Sequence, residues 1–393
     1  MISLAAYTDC TGCSACYAAC AKGAISMIPD SEGFLRPVID SAKCVNCGLC
    51  VKACPVLVRP APRKPLSVFA AKTKNDKLLL DSTSGGAFTE LAHVILSNGG
   101  VVCGAGWDAE FNVVHKIVDS ESALAELRGS KYVQSKVDCV YDKIRMFLSQ
   151  GRQVLFTGMP CQCAAMRLTF GDDSNLIICG LMCYSNTASS IWRQYLNEFQ
   201  MKMGGEIQNI KFRDKSESWK ESRFRISFKD GKEFSENLSE NLYWKVFCSG
   251  LGTLESCLHC KFRSGAHGAD LIIGDFWGVE KIFPNSDYKN GMSAVLVYTE
   301  KGEKLLSQTN LDMIASTYSD VLFGNPFLEK VITIDAKKRK IFQANVTHMP
   351  LQKVYTLSYH GPWYRRLSLA VYKKLRRGAI RLVGMLNSRQ GVL

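Results

Sequence analysis

Eight of the seventeen cysteines fall between Cys10 and Cys54, in two runs of identical spacing. The first run is Cys10-Thr11-Gly12-Cys13-Ser14-Ala15-Cys16-Tyr17-Ala18-Ala19-Cys20. The second is Cys44-Val45-Asn46-Cys47-Gly48-Leu49-Cys50-Val51-Lys52-Ala53-Cys54, closed by Pro55. Three thiolates spaced this closely can wrap three irons of one cubane, and the fourth points away to a second cluster. Cys10, Cys13, Cys16 and Cys54 are therefore assigned to one 4Fe–4S cluster, and Cys44, Cys47, Cys50 and Cys20 to the other. Gly12, Ser14, Ala15 and Gly48 are small enough for backbone amides to approach the sulfurs. Structural zinc is the competing chemistry, but it usually takes two C-x2-C pairs separated by a loop. A module with two clusters is an electron conduit, so the remaining chain must supply or receive the electrons.

Nine cysteines lie beyond the module. Cys103 and Cys179 sit in apolar strands and Cys139 in a helical pattern, so a core position is expected for all three. Cys161 follows a strand at a helix start, Cys183 ends a strand, and Cys257-Leu258-His259-Cys260 is a C-x2-C bite in a polar loop. On spacing alone these four allow a third cluster, a zinc site or a redox dithiol.

The elements that position these residues read as α/β. Short apolar strands at Ser67–Ala71, Val101–Ala105, Gln153–Gly158 and Asn175–Cys183 alternate with helical patterns at Ala87–Ser97 and from Pro160. Arg223–Phe228 and Lys232–Phe234, joined by Asp230-Gly231, read as a hairpin on the same body. The fold class expected is α/β, an α+β body behind a bacterial two-cluster ferredoxin module, with a basic amphipathic helix at the C-terminal end. The expected domains are the module at 1–57, a Pro-rich linker at 58–66, the body at 67–335 and a basic tail at 336–393.

Composition supports a globular chain: 47% of 393 residues are hydrophobic and 22% charged. No uncharged apolar run reaches membrane-spanning length and the start reads as no export signal, so a cytoplasmic protein is expected. The formal charge of +13 is carried entirely by the tail, which has 13 Lys and Arg and no acid. A basic tail on a balanced body argues against a nucleic-acid-binding surface.

Several motifs occur in an order that resembles the beta-subunit family of the coenzyme F420 reducing hydrogenases and dehydrogenases. After the module come Ser82-Thr83-Ser84-Gly85-Gly86-Ala87-Phe88, then Arg128-Gly129-Ser130-Lys131-Tyr132-Val133-Gln134-Ser135, then Thr157-Gly158-Met159-Pro160-Cys161-Gln162. Cys183, Cys257–Cys260 and Ala269-Asp270-Leu271-Ile272-Ile273-Gly274-Asp275-Phe276-Trp277-Gly278 complete the set. Similar proteins include bacterial members near polysaccharide-synthesis genes. The resemblance implies FAD and a third 4Fe–4S cluster in the body, the latter on Cys161, Cys183, Cys257 and Cys260. It also implies flavin contacts at Ser84, Gly85, Gly86 and Lys131, and Gly-rich helix starts do offer bare amides to phosphates. The plainer reading of that turn is a helix start with Ser84 as N-cap and Glu90 nearby. Cys163, two residues after Cys161, is a rival for the same role.

The function expected is an iron–sulfur flavoprotein oxidoreductase. It would take electrons from a ferredoxin-like donor through 4Fe–4S clusters to FAD, and pass hydride to a small-molecule or glycan-linked substrate. The rival is a non-enzymatic electron-transfer subunit docked on a separate catalytic partner. Lys131, Tyr132 and His267 are candidate proton donors, none assigned, and His93 and His115 read as core or strand-edge residues. In the tail, Trp363–Leu386 has an apolar stripe opposite seven cations, which fits peripheral contact with an anionic membrane surface; capping the body and docking an acidic partner are the alternatives.

Overall fold

The computed structural model describes residues 3–360. The segment Trp363–Leu386, read above as an amphipathic helix, lies outside the described residues. Among the described residues thirteen strands are formed in chain order. They are β1 (Ile25–Pro29), β2 (Leu35–Ile39), β3 (Ser67–Thr73), β4 (Val101–Trp107), β5 (Val113–Val118), β6 (Val154–Gly158) and β7 (Leu176–Leu181). The rest are β8 (Ile207–Asp214), β9 (Arg223–Phe228), β10 (Glu233–Asn237), β11 (Leu271–Asp275), β12 (Ser293–Val297) and β13 (Leu311–Ala315). The α/β reading holds. Eight strands form one mixed sheet in the order β13-β3-β12-β11-β7-β6-β4-β5, whose central four, β11-β7-β6-β4, are parallel.

Those central strands are covered on both faces, which is why they read as unbroken apolar runs. Phe156, Ile178 and Ile272 point into one core, and Leu155, Ile177 and Ile273 into the other. The helix Ala87–Ser97 lays Leu91 and Ile95 on the second core, and the helix Pro160–Phe170 lays Cys163 and Met166 on the first. Such sheets bind ligands outside the carboxyl ends of their parallel strands. Here those ends are Thr157–Cys161, Leu181–Cys183 and Asp275–Trp277.

The expected hairpin exists, but its second strand begins at Glu233, and it joins β8 in a separate three-stranded sheet rather than the main one. An aromatic stack of Trp192, Phe212, Phe224 and Tyr243 holds that sheet to the helix Ser189–Met203. The cysteine module consists of the β1–β2 hairpin and two single-turn helices, Ala15–Ala18 and Leu49–Lys52.

The chain divides into two compact units, with the boundary between Thr333 and Ile334. In the second, Asp335 caps the helix Ala336–Asn345 by accepting from the Lys337 and Lys338 amides, and the helix Leu351–His360 packs beside it. Among the described residues no helix is long and apolar enough to cross a membrane.

Candidate functional site

The repeat in the cysteine module is reproduced in the backbone. Gly12 and Ser14 flank Cys13 with φ of 68° and 62°, and Asn46 and Gly48 flank Cys47 with φ of 56° and 76°. Left-handed residues at these paired places curl each loop into a concavity of amides, the local geometry that receives anions and iron–sulfur groups. Ser14 and Asn46 hold this conformation despite carrying a Cβ, at a cost of about 1–2 kcal/mol each.

Cys10, Cys13, Cys16 and Cys54 line one small cavity, so Cys54 of the second run stands with three cysteines of the first. Burial, with Cys10 and Cys54 as neighbouring charges, pushes the Cys13 thiol up to about 12. Cys50 is raised by burial and by Cys20 and Cys47, which places these three together. Cys44 opens the same run, half-buried, while Cys47 is exposed.

A third set forms in the body. Cys161 is the second residue of the helix after β6, Cys183 stands two residues past β7, and Cys257 and Cys260 bracket the end of a 3-10 turn. All four line a single cavity. Burial raises Cys161 and Cys183 well above the usual thiol range, and the charges of their partners raise them further. The dipole of the helix Pro160–Phe170, which favours a thiolate at its start, is outweighed. Thiolates gathered around one cavity repel one another, and positive charge such as iron would relieve that repulsion. Cys163 is not a rival, because its sulfur lies in the sheet core, 3.5 Å from the Gly158 carbonyl. Cys103 and Cys179 are buried as expected, whereas Cys139 is exposed. Its 3-10 turn at Asp138–Val140 buries Val140 instead.

The residues fit iron–sulfur groups on a further observation. Ser14 Oγ beside the first set and Ser256 Oγ beside the third are buried without any hydrogen-bond partner. Orphaned hydroxyls are costly in an interior and need an acceptor, which cluster sulfides and cysteine sulfurs provide. Among the described residues no three His, Cys, Asp or Glu are drawn together tightly enough for a single ion; the cysteines surround cavities instead.

The module is fastened to the body where the first and third sets meet. Asp9, beside Cys10, accepts from Lys261 Nζ at 2.6 Å and pairs with His259 Nε2 at 2.8 Å, inside and after the Cys257–Cys260 bite. Both partners hold the Asp9 carboxyl below its usual range. Thr11 lines both cavities, and Tyr141, fully buried, donates to the Cys13 carbonyl at 2.8 Å. Tyr141→Phe, which removes the donor to a buried carbonyl, should therefore destabilise the protein by about 1–3 kcal/mol, measured by denaturant unfolding of the iron-loaded chain.

Beside the third set lies a cavity of about 830 Å³ at the carboxyl ends of the parallel strands. Leu181, Met182 and Cys183 line both cavities. Its rim contains Ser84, Gly86 and the first residues of the helix Ala87–Ser97, facing Arg128–Tyr132. The two loops touch, with the Ser130 amide donating to Thr83 Oγ1 at 3.1 Å. Gly86, not Ser84, is the N-cap, with φ of 87° and no side-chain cap, so the first amides of that helix have no internal partner. Ser84 Oγ instead donates to the Met292 carbonyl, and Glu90 is buried against Thr73.

The glycines of this turn answer first to packing. A Cβ on Gly85 would stand 2.3 Å from the Ala71 carbonyl oxygen, and one on Gly86 2.8 Å from Thr73 Cγ2. The Gly85 amide is already given to Ser293 Oγ. What remains for an anion is the helix start together with Lys131 and Arg128. Among the described residues Lys131 Nζ donates to the Arg128 and Gly129 carbonyls alone, and burial lowers its pKa to about 7. Arg128 Nε is buried and unpartnered.

Comparison with known families decides the class. Residues 9–58 match the 4Fe–4S dicluster domain, and residues 151–318 match the family described as the C terminus of the coenzyme F420 hydrogenase/dehydrogenase beta subunit. Residues 151–318 therefore carry the C-terminal domain of such beta subunits. A chain of the F420-reducing NiFe hydrogenase complex from Methanosarcina barkeri is similar at 17% identity, over 74% of this chain and 91% of that one, with a TM-score of 0.46. A search of curated proteins gave no match. The chain is thus an iron–sulfur electron-transfer protein related to the F420 hydrogenase/dehydrogenase beta subunits.

Within this beta-subunit relative, three features of the cavity wall are made by contacts between segments distant in the chain. His115 is buried with its Nε2 on the Thr157 carbonyl at 3.0 Å, its Nδ1 unpartnered, and its pKa lowered to about 4 by burial. Arg213 and Asp275 form a buried ion pair, with Trp219 Nε1 donating to the same carboxylate at 2.8 Å. Tyr132 packs edge-on against Trp244 at 4.7 Å. His267, by contrast, lies at the third cysteine set rather than here.

Proposed function

We propose that the chain is an iron–sulfur flavoprotein oxidoreductase in which Cys161, Cys183, Cys257 and Cys260 hold a third 4Fe–4S cluster and the large cavity holds FAD. The observation that carries this reading is the shared wall: Cys183 and its two preceding residues line both the four-cysteine cavity and the 830 Å³ cavity. When bound, the clusters would supply single-electron steps, and the flavin would combine two electrons for hydride transfer.

The chain's own residues set the order of the sites. Cys47 is exposed on the outer set, the inner set adjoins the third through Thr11 and the Cys13–Cys161 proximity, and the third adjoins the cavity. The helix start at Gly86 and the side chains of Lys131 and Arg128 would hold a diphosphate by amide and charge. Tyr132, Trp244 and Phe247 give the cavity an aromatic wall. The substrate, a small molecule or a glycan-linked one, is proposed on the family resemblance alone. Domain limits of 1–57, 58–66, 67–335 and 336–393 are part of the proposal, as are cytoplasmic location and peripheral membrane contact by the tail.

Counting after anaerobic purification tests the proposal. About 12 Fe per chain with one flavin is the expected result, four irons for each cysteine set. About 8 Fe without flavin, even after reconstitution, would leave the electron-transfer subunit as the better reading.

A further inference from the structure

We infer that the face around the outer cysteine set is a docking surface for a small acidic electron-carrier protein; this rests on that set being the outermost redox site proposed above. Three lysines ring the set through the chain itself. Lys22 follows Cys20 by two residues, Lys43 precedes Cys44, and Lys52 follows Cys50 by two. All three are exposed. Lys43 has one weak surface pair, with Asp40 at 3.2 Å, and among the described residues Lys22 and Lys52 form no ion pair. From Ser41 to Pro65 there are five Lys and Arg and no acid.

Between the lysines the surface is apolar. Val45 is 59% and Leu49 46% exposed, on either side of exposed Cys47. A ring of cations around an apolar centre with a redox ligand in the middle has the anatomy of a transient interface: the charges steer, and the apolar centre excludes water on arrival. The module's other end is built the opposite way. Its acids there are consumed, Asp9 by His259 and Lys261 and Asp30 by Arg36 and Tyr7. An anionic lipid surface also suits lysines and apolar residues, but it would bury the one exposed cluster ligand against an insulator. A soluble acidic partner with its own redox centre makes use of that exposure.

The test uses the full-length, iron-loaded protein and a small acidic ferredoxin, with binding followed by calorimetry at rising salt. Affinity should fall by about tenfold or more between 50 and 300 mM salt. Reversing Lys22, Lys43 and Lys52 together to Glu should weaken binding by at least about tenfold with iron content unchanged. Reversing Lys202, Lys245 and Lys304 on the body, the same change in net charge, should not. Leu49→Ala should shorten the complex lifetime while leaving the salt dependence intact. Equal effects of the two triple variants, or no binding at low salt, would overturn the proposal. So would anionic vesicles binding through the module lysines while the ferredoxin does not. Loss of iron from wild-type protein would instead count against the cluster assignment and leave the docking face to be judged on binding alone.

Discussion

Cys183→Ser should cost the protein about four of its twelve or so irons while the ferredoxin module keeps its eight. It should also cut electron passage between the module and the large cavity. The reason is position. Cys183 is the ligand candidate that lines both cavities, so it is at once a member of the third set and part of the partition beside the large cavity. Its backbone is anchored by β7, whose neighbour Met182 gives its amide to the Ile273 carbonyl at 2.9 Å, so the change to Ser leaves the fold in place. The measurements are iron and sulfide content, paramagnetic resonance of the reduced protein, and flavin bleaching by a reduced ferredoxin. Cys163→Ser is the control, since its sulfur sits in the core and should leave iron unchanged. Full iron in Cys183→Ser, or iron loss in Cys163→Ser, would refute the assignment.

Lys131→Met should weaken FAD binding by about tenfold to a hundredfold, the worth of one charge-assisted hydrogen bond in a buried place. Iron content should not change. Among the described residues Lys131 Nζ is held by two carbonyls and pairs with no carboxylate, and burial brings its pKa to about 7. The sign of the pH dependence follows. In the free protein the amine is charged below about 7 and increasingly neutral above it. A diphosphate favours the charged form, so binding takes up a proton at higher pH and affinity should fall as pH rises from 7 towards 9. Fluorescence titration of flavin-stripped protein checks both statements. A flat pH profile in wild type, or unaltered affinity in Lys131→Met, would remove Lys131 from the phosphate site. Gly86→Val is a poorer test, because a branched side chain at φ 87° against Thr73 disturbs the body itself.

The sequence by itself determined the electron-carrying half of the protein. Cubane ligation by C-x2-C-x2-C-x3-C is local chemistry: the loop between ligands is only a few residues long, so spacing alone dictates which sulfurs can share an iron core. The left-handed pairs Gly12/Ser14 and Asn46/Gly48 repeat that spacing in the backbone. The helix Ala87–Ser97 and the helix start at Pro160 were legible for the same reason, being set by nearby periodicity and by Pro160 itself. Position at strand ends and the C-x2-C bite singled out Cys161, Cys183, Cys257 and Cys260, and the family resemblance chose a cluster among the chemistries that spacing left open.

Tertiary structure alone decided how those parts meet. Parallel pairing of β6 with β7 aligns Gly158 with Gly180, and that register brings Cys161 and Cys183 to one end of the sheet. No local pattern encodes it. The choice between Cys161 and Cys163 was likewise made by packing: residues two apart on a helix lie about 200° apart, so one faces the cavity and the other the core. Cys139, placed in the core by its pattern, is exposed because a 3-10 turn breaks the helical period there. The burial of Lys131, Arg128 and His115 depends on loops that are distant in the chain closing over them, and the free energy of a charged or polar side chain is set by that enclosure rather than by its sequence neighbours.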